Sequence, residues 1–300
     1  MNLKFEKKHI KLSNGETLAY LETSKKDKET VLLVHGNFSS SVHWLRMIKD
    51  LKAKYHVLAP DLRGFGDSTY NKRISSFKEL ADDLALFLRA KKVRKAYVFG
   101  WSLGGGVAME LAANYPRLVK KLVLIASTTH KGYPVYKKDA KGNQLVGECY
   151  ASPEEMAKDP VQVAPLLGIM ATQNVEFMKQ ALGALASSPI PNEELTLYAK
   201  ESLKQKNLID ADWAISNLNM GLEKSYYSKG SNTIKNITCP VLHLWGNKDI
   251  WLAPEYMTLD NYNALRDNSK LIYYYGCGHM VFYDKRKESV NDVLNFLESK

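Results

Sequence analysis

The pentapeptide Gly100-Trp101-Ser102-Leu103-Gly104 places a serine between two glycines, each two residues away. It directly follows the apolar run Tyr97-Val98-Phe99 and leads into a helical pattern that begins near Gly105. A serine at the tip of a tight strand-to-helix turn sits in a strained backbone conformation. Its neighbours two before and two after must lack bulk so that strand and helix can pass. The turn lifts the hydroxyl above the sheet, with the helix N-terminus beneath it to favour developing negative charge. The competing readings of a glycine-rich loop need Gly-x-Gly-x-x-Gly, or a glycine followed by Lys-Ser or Lys-Thr, and neither occurs.

A serine hydroxyl is a weak nucleophile until a base takes its proton. Of seven histidines, His279 in Gly276-Cys277-Gly278-His279-Met280 follows the last expected strand, where a loop at the carboxyl edge of the sheet carries it toward Ser102. His9 and His243 fall within expected strands, and His43, His56 and His130 have no turn signal around them. The base needs an acid to hold its ring. Asp249, in Trp245-Gly246-Asn247-Lys248-Asp249, follows the preceding strand by a short polar loop. The other position for an acid, the loop Ser127-Thr128-Thr129-His130, has no carboxylate until Asp139. The chain order Ser102, Asp249, His279 is one of those used by serine hydrolases.

Acyl transfer also needs donors aimed at the oxyanion. The backbone N–H groups of Asn37, in His35-Gly36-Asn37-Phe38, and of Leu103 are the candidates, with His35 bracing its loop. Phe38 and Trp101, beside these groups, and Trp213, farther along, are candidate substrate contacts. No metal or organic cofactor is required. The three cysteines (Cys149, Cys239, Cys277) share no metal-ligand spacing.

These residues must be positioned by a sheet. Residues 5–12 and 17–23 read as extended segments joined at Ser13-Asn14-Gly15. Short apolar runs at 31–34, 55–59, 96–99, 122–126, 241–245 and 270–275 read as further strands, giving eight. Helical spacing separates them, as in Leu80, Leu84, Phe87 and Leu88. Alternation of this kind means an α/β, doubly wound, mostly parallel sheet. The rhythm breaks between His130 and Asn232, where helix-like stretches at 153–158, 161–173, 175–187, 192–206 and 211–220 are punctuated by Pro and Ser. The expected organisation is a core of 1–130 and 233–300 with an all-helical cap inserted at 131–232.

With 300 residues, 45% apolar, the chain can bury a core without disulfides or a metal. The 42 basic and 32 acidic residues give a net charge of +10. The basic residues form scattered short clusters such as Lys25-Lys26, Lys91-Lys92, Lys137-Lys138 and Lys285-Arg286-Lys287, without interleaved aromatics. That distribution argues for solvated faces and against a nucleic-acid partner. No apolar stretch approaches the roughly 20 residues of a membrane span, and charges interrupt the start, Met1 to Lys8, so no secretory leader is expected there. A cytoplasmic monomer or homodimer acting on a small molecule fits.

Four motifs occur in order: His35-Gly36-Asn37, the stretch from Asp61 to Ser68, the turn around Ser102, and the pair Asp249 and His279. Together they resemble the α/β-hydrolase fold with a helical cap, over nearly the whole scaffold. In that family the Asp61–Ser68 stretch shapes a loop, which implies structural roles for Arg63 and Asp67. The His35-Gly36-Asn37 stretch, with Trp101 near the serine, is also similar to that of haloalkane dehalogenases, which share this fold with epoxide hydrolases. Both use an aspartate where Ser102 stands, so neither chemistry is expected. The resemblance implies a serine hydrolase of a small or medium, largely apolar carboxylic ester or lactone. Two other readings stay open: hydrolysis of a carbon–carbon bond in ring-cleavage products by the same three residues, and a slow-turnover ligand receptor.

Overall fold

A computed structural model of the protein describes residues 5–24 and 27–299. Met1 to Lys4 and the pair Lys25-Lys26 therefore lie outside the described residues. The strands in chain order are β1 Lys8–Lys11, β2 Thr17–Glu22, β3 Thr30–Val34, β4 His56–Pro60, β5 Ala96–Trp101, β6 Val119–Ile125, β7 Tyr136–Lys138, β8 Gln144–Cys149, β9 Val241–Gly246 and β10 Ser269–Tyr274. The helices are α1 Leu45–Leu51, α2 Phe77–Ala90, α3 Leu103–Asn114, α4 Pro153–Met156, α5 Val163–Ala171, α6 Val175–Gly183, α7 Asn192–Ser202, α8 Leu208–Asn217, α9 Glu255–Ala264, α10 Val281–Asp284 and α11 Arg286–Glu298.

Eight strands form one sheet in the order β1-β2-β4-β3-β5-β6-β9-β10. Only β2 runs against its neighbours β1 and β4; the other pairings are parallel. The turn between β1 and β2 uses Gly15 at φ +93°, a conformation that costs glycine little. Every residue of β3, β4, β5 and β9 is buried, because a parallel strand covered on both faces has no solvent side. Alternate side chains supply two cores. Leu32, Val34, Val98, Leu122 and Leu124 pack with Leu80 and Leu84 of α2 and Val107 and Leu111 of α3. Val31, Leu33, Phe99 and Val123 face the opposite way, into a core shared with Met47 and Leu51 of α1 and Val293 and Leu297 of α11. The doubly wound arrangement expected from the alternation is therefore present.

The segment between β6 and β9 leaves the sheet. It is not all-helical as expected, since it opens with an antiparallel hairpin, β7 with β8. The turn is built locally: Asp139 Oδ1 accepts the backbone N–H groups of Lys141 and Asn143 at 2.8 and 2.9 Å, and Gly142 sits at φ +84°. Five helices, α4 to α8, follow, and a small cluster of Val135, Tyr150, Met156 and Val163 holds the hairpin to them. Among the described residues no helix is long and apolar enough to cross a membrane.

Candidate active site

Four loops meet at the carboxyl ends of the parallel strands. The turn from β5 to α3 carries Ser102 at φ +55°, ψ −125°, a strained position for a residue with a Cβ. Backbone contacts hold it there. The Ser102 N–H donates to the Ile125 carbonyl at 3.1 Å, and the Ser102 carbonyl accepts from Gly105 and Thr128 at 2.9 and 3.1 Å. The two flanking glycines are required for close approach. A Cβ at Gly100 would lie 2.5 Å from the Gly104 carbonyl oxygen, and one at Gly104 would lie 2.3 Å from that of His35.

The loop after β10 carries His279 and the loop after β9 carries Asp249, both buried. His279 Nδ1 lies 2.6 Å from Asp249 Oδ2, and Asp249 Oδ1 accepts the Ala253 N–H at 3.1 Å. The two residues are 30 positions apart in sequence, and the parallel pairing of β9 with β10 makes them neighbours. The Ser102 hydroxyl stands on the β5 turn, with β6 between β5 and β9, and makes no hydrogen bond among the described residues. Such contacts are often long before substrate binds. Trp101 links the two loops: its Nε1–H donates to the His279 carbonyl at 3.0 Å, and the two rings lie 5.5 Å apart. The indole is 2% exposed and packs edge-on against Trp44 and Phe282. Where a substrate contact was expected, the structure has a buried ring that holds the histidine loop, because β5 points this side chain into the core.

The loop after β3 lies against the nucleophile. A Cβ at Gly36 would come within 2.9 Å of Ser102 Cβ. His35 braces this loop as expected. Its Nδ1–H donates to the Gly36 carbonyl at 2.8 Å and its Nε2 accepts the Leu62 N–H at 3.0 Å. Burial holds the neutral imidazole down at about 4. The backbone N–H groups of Asn37 and Leu103 donate to no acceptor among the described residues. Phe38 is half-buried at φ +47° and packs against the second core. Trp213 lies elsewhere, edge-on to Tyr227 at 5.7 Å beside the insertion's own cluster.

Arg63 grips Asp83 with two parallel bonds of 2.7 and 2.6 Å, a structural pairing. Asp67 joins Asp61 and Glu201 around the Lys7 ammonium, at 2.8, 2.8 and 2.5 Å. This carboxylate trio has a spacing that could hold a metal ion, but Lys7 fills it. Cys277 is buried, and that burial pushes its thiol up to about 11, so it is a poor nucleophile at neutral pH. Two contacts had no signal in the sequence: the Lys7 cluster and Gln205, whose amide reaches Asn37 and Phe38 at 2.8 and 3.0 Å.

Comparison with known proteins agrees with the fold. Residues 29–286 match the profile of the α/β-hydrolase fold family. The chain belongs to that family. It is 25% identical to Lipase 1 of Psychrobacter immobilis over 97% of this chain and 84% of that protein. Lipase 3 of a Moraxella species gives the same identity and coverage. A crystal structure of a putative lipase from Acinetobacter baumannii superposes with a TM-score of 0.74 at 24% identity, covering 98% of this chain and 91% of that one. The α/β-hydrolase relatives named as lipases place this chain among hydrolases.

Proposed function

We propose that the protein is a serine hydrolase of small or medium, largely apolar carboxylic esters or lactones. The observation that carries the reading is the buried His279–Asp249 pair at 2.6 Å, whose histidine loop is tied to the residue before a serine held at positive φ. The similarity to two bacterial lipases over 97% of the chain supports an ester as the bond attacked. Residues 131–232 then act as a cap over the site, with Phe38 near the acyl group.

In the first step His279 Nε2 takes the Ser102 proton while Oγ bonds to the carbonyl carbon. The carbonyl π electrons move to oxygen, which the Asn37 and Leu103 N–H groups stabilise. Collapse of this intermediate breaks the bond to the leaving oxygen, and His279 returns the proton to it. Water, deprotonated by His279, then attacks the acyl carbon; collapse expels Ser102, which regains its proton, and releases the acid. Asp249 keeps the histidine proton on Nδ1 and stabilises the imidazolium at each transfer. No metal or organic cofactor enters these steps.

The test is a p-nitrophenyl ester series from acetate to octanoate, with fluorophosphonate labelling of the active serine. Turnover that peaks at a short or medium chain, and loss of both turnover and labelling in Ser102→Ala, is expected. A Ser102→Ala protein that retains turnover would remove the reading.

A further inference from the structure

The oxyanion-side loop is held by the insertion, and one buried amide binds two consecutive residues of it. Gln205 lies three residues beyond α7 and is buried. Its Oε1 accepts the Phe38 N–H at 3.0 Å, and its Nε2 donates to Asn37 Oδ1 at 2.8 Å and to Asn207 Oδ1 at 3.0 Å. The orientation of this amide is not arbitrary. A backbone N–H can only donate, so the oxygen of Gln205 must face Phe38, which leaves the NH₂ for the two asparagine oxygens. Asn37 Oδ1 is further fixed by the Phe38 N–H at 3.2 Å.

The neighbouring contacts work to the same end. The Ser202 hydroxyl donates to the Phe38 carbonyl, so both polar groups of that strained residue are captured from the insertion. Ser40, two residues on, donates to Glu201 Oε2 at 2.8 Å. The following residues anchor Gln205 itself. Lys206 N–H donates to the Gly64 carbonyl at 2.7 Å, and Asn207 Nδ2 donates to the Arg63 carbonyl at 2.8 Å. A glutamine tied to two core loops at once cannot drift with the insertion alone.

From this network we infer that Gln205 is a positioning residue for the oxyanion hole: it holds the Asn37 side chain and the Asn37–Phe38 peptide, and so fixes the Asn37 backbone angles that join that peptide to the preceding one, which carries the Asn37 N–H and whose Gly36 carbonyl is held by His35 and Ser39. The inference rests on the reading of Asn37 as an oxyanion donor. Phe38 has an unfavourable φ of +47° and little reason to keep it alone, so removing the clasp lets the loop relax. Donors aimed at the developing charge lose their value quickly when misplaced.

The experiment measures the fluorophosphonate labelling rate of Ser102, which needs no knowledge of the natural substrate, together with KM and kcat on the best p-nitrophenyl ester. Gln205→Met, similar in length but unable to hold either partner, is expected to lower labelling rate and kcat about tenfold or more with KM within about twofold. Gln205→Glu keeps an oxygen for the Phe38 N–H and is expected to recover part of the loss. Asn37→Ala removes the other half of the clasp and is expected to reproduce it. The double variant should be no worse than either single one, the non-additivity of residues acting as a unit. An unchanged labelling rate with a raised KM would make Gln205 a substrate wall. A lowered melting temperature with unchanged labelling per folded molecule would make it structural; either result overturns the inference. If Gln205→Met does not fold, Gln205→Glu and Asn37→Ala carry the comparison. Persistence of labelling in Ser102→Ala would instead strike the underlying function.

Discussion

At His279 the tautomer follows from one contact. With Nδ1 2.6 Å from a carboxylate, the proton belongs on Nδ1 and the Nε2 lone pair is left to accept one. Asp249→Asn can present an N–H to the ring and invert that choice. Its expected effect is a ~10⁴-fold loss of kcat on an ester with the fold preserved, checked by stopped assay and circular dichroism. Trp101 acts one step further out. Trp101→Phe keeps much of the buried ring and loses the bond to the His279 carbonyl. It is expected to lower kcat more than it raises KM, as steady-state kinetics would reveal.

Among the elements, the β5–α3 turn tolerates the least change. A Cβ at Gly104 would press on the carbonyl oxygens of both His35 and Val34, at 2.3 and 2.4 Å, and backbone cannot swing aside as a side-chain tip can. Gly104→Ala is therefore expected to destabilise the protein by about 1–3 kcal/mol and to slow Ser102 labelling, read from a denaturant midpoint and a labelling time course. This turn was legible in the sequence because its chemistry is local: strand, glycine, serine, glycine and helix are consecutive. The central strands were legible because burial on both faces leaves continuous apolar runs such as Val31 to Val34. The hairpin β7–β8 was not, since β8 is largely exposed and lacks such a run. Gln205 was hidden for a different reason, as its partner Asn37 is 168 positions away and no pattern links them. Trp101 was misread because adjacency to Ser102 in sequence says nothing about which side of β5 a ring takes.

Over the whole molecule, acid should unfold the protein well before its carboxylates are all protonated. Burial holds His35 at about 4 and His43 and His243 at about 3, against an ordinary value of 6.5. The unfolded chain takes up protons at these sites that the folded chain refuses. The stability they represent is full above about 6.5 and declines as pH falls from there toward 3. Melting temperatures taken at pH 7.5, 6 and 5 should fall steadily, and His243→Leu should flatten that slope; a flat profile in the parent protein would contradict the assignment.

Lys7 also acts at this scale. One ammonium gathers carboxylates from positions 61, 67 and 201, so the first strand's approach, the scaffold and the inserted helices share a single fastening. Its loss leaves the buried Asp61 without a cation, while Lys204 still pairs with Asp67 and Glu201 at 2.9 and 2.5 Å, and Lys7→Met is expected to destabilise by roughly 3 kcal/mol. In deuterium-exchange measurements the amides of α7, α8 and the opening strand pair should then deprotect at one common rate, as a zip opens from its slider rather than tooth by tooth.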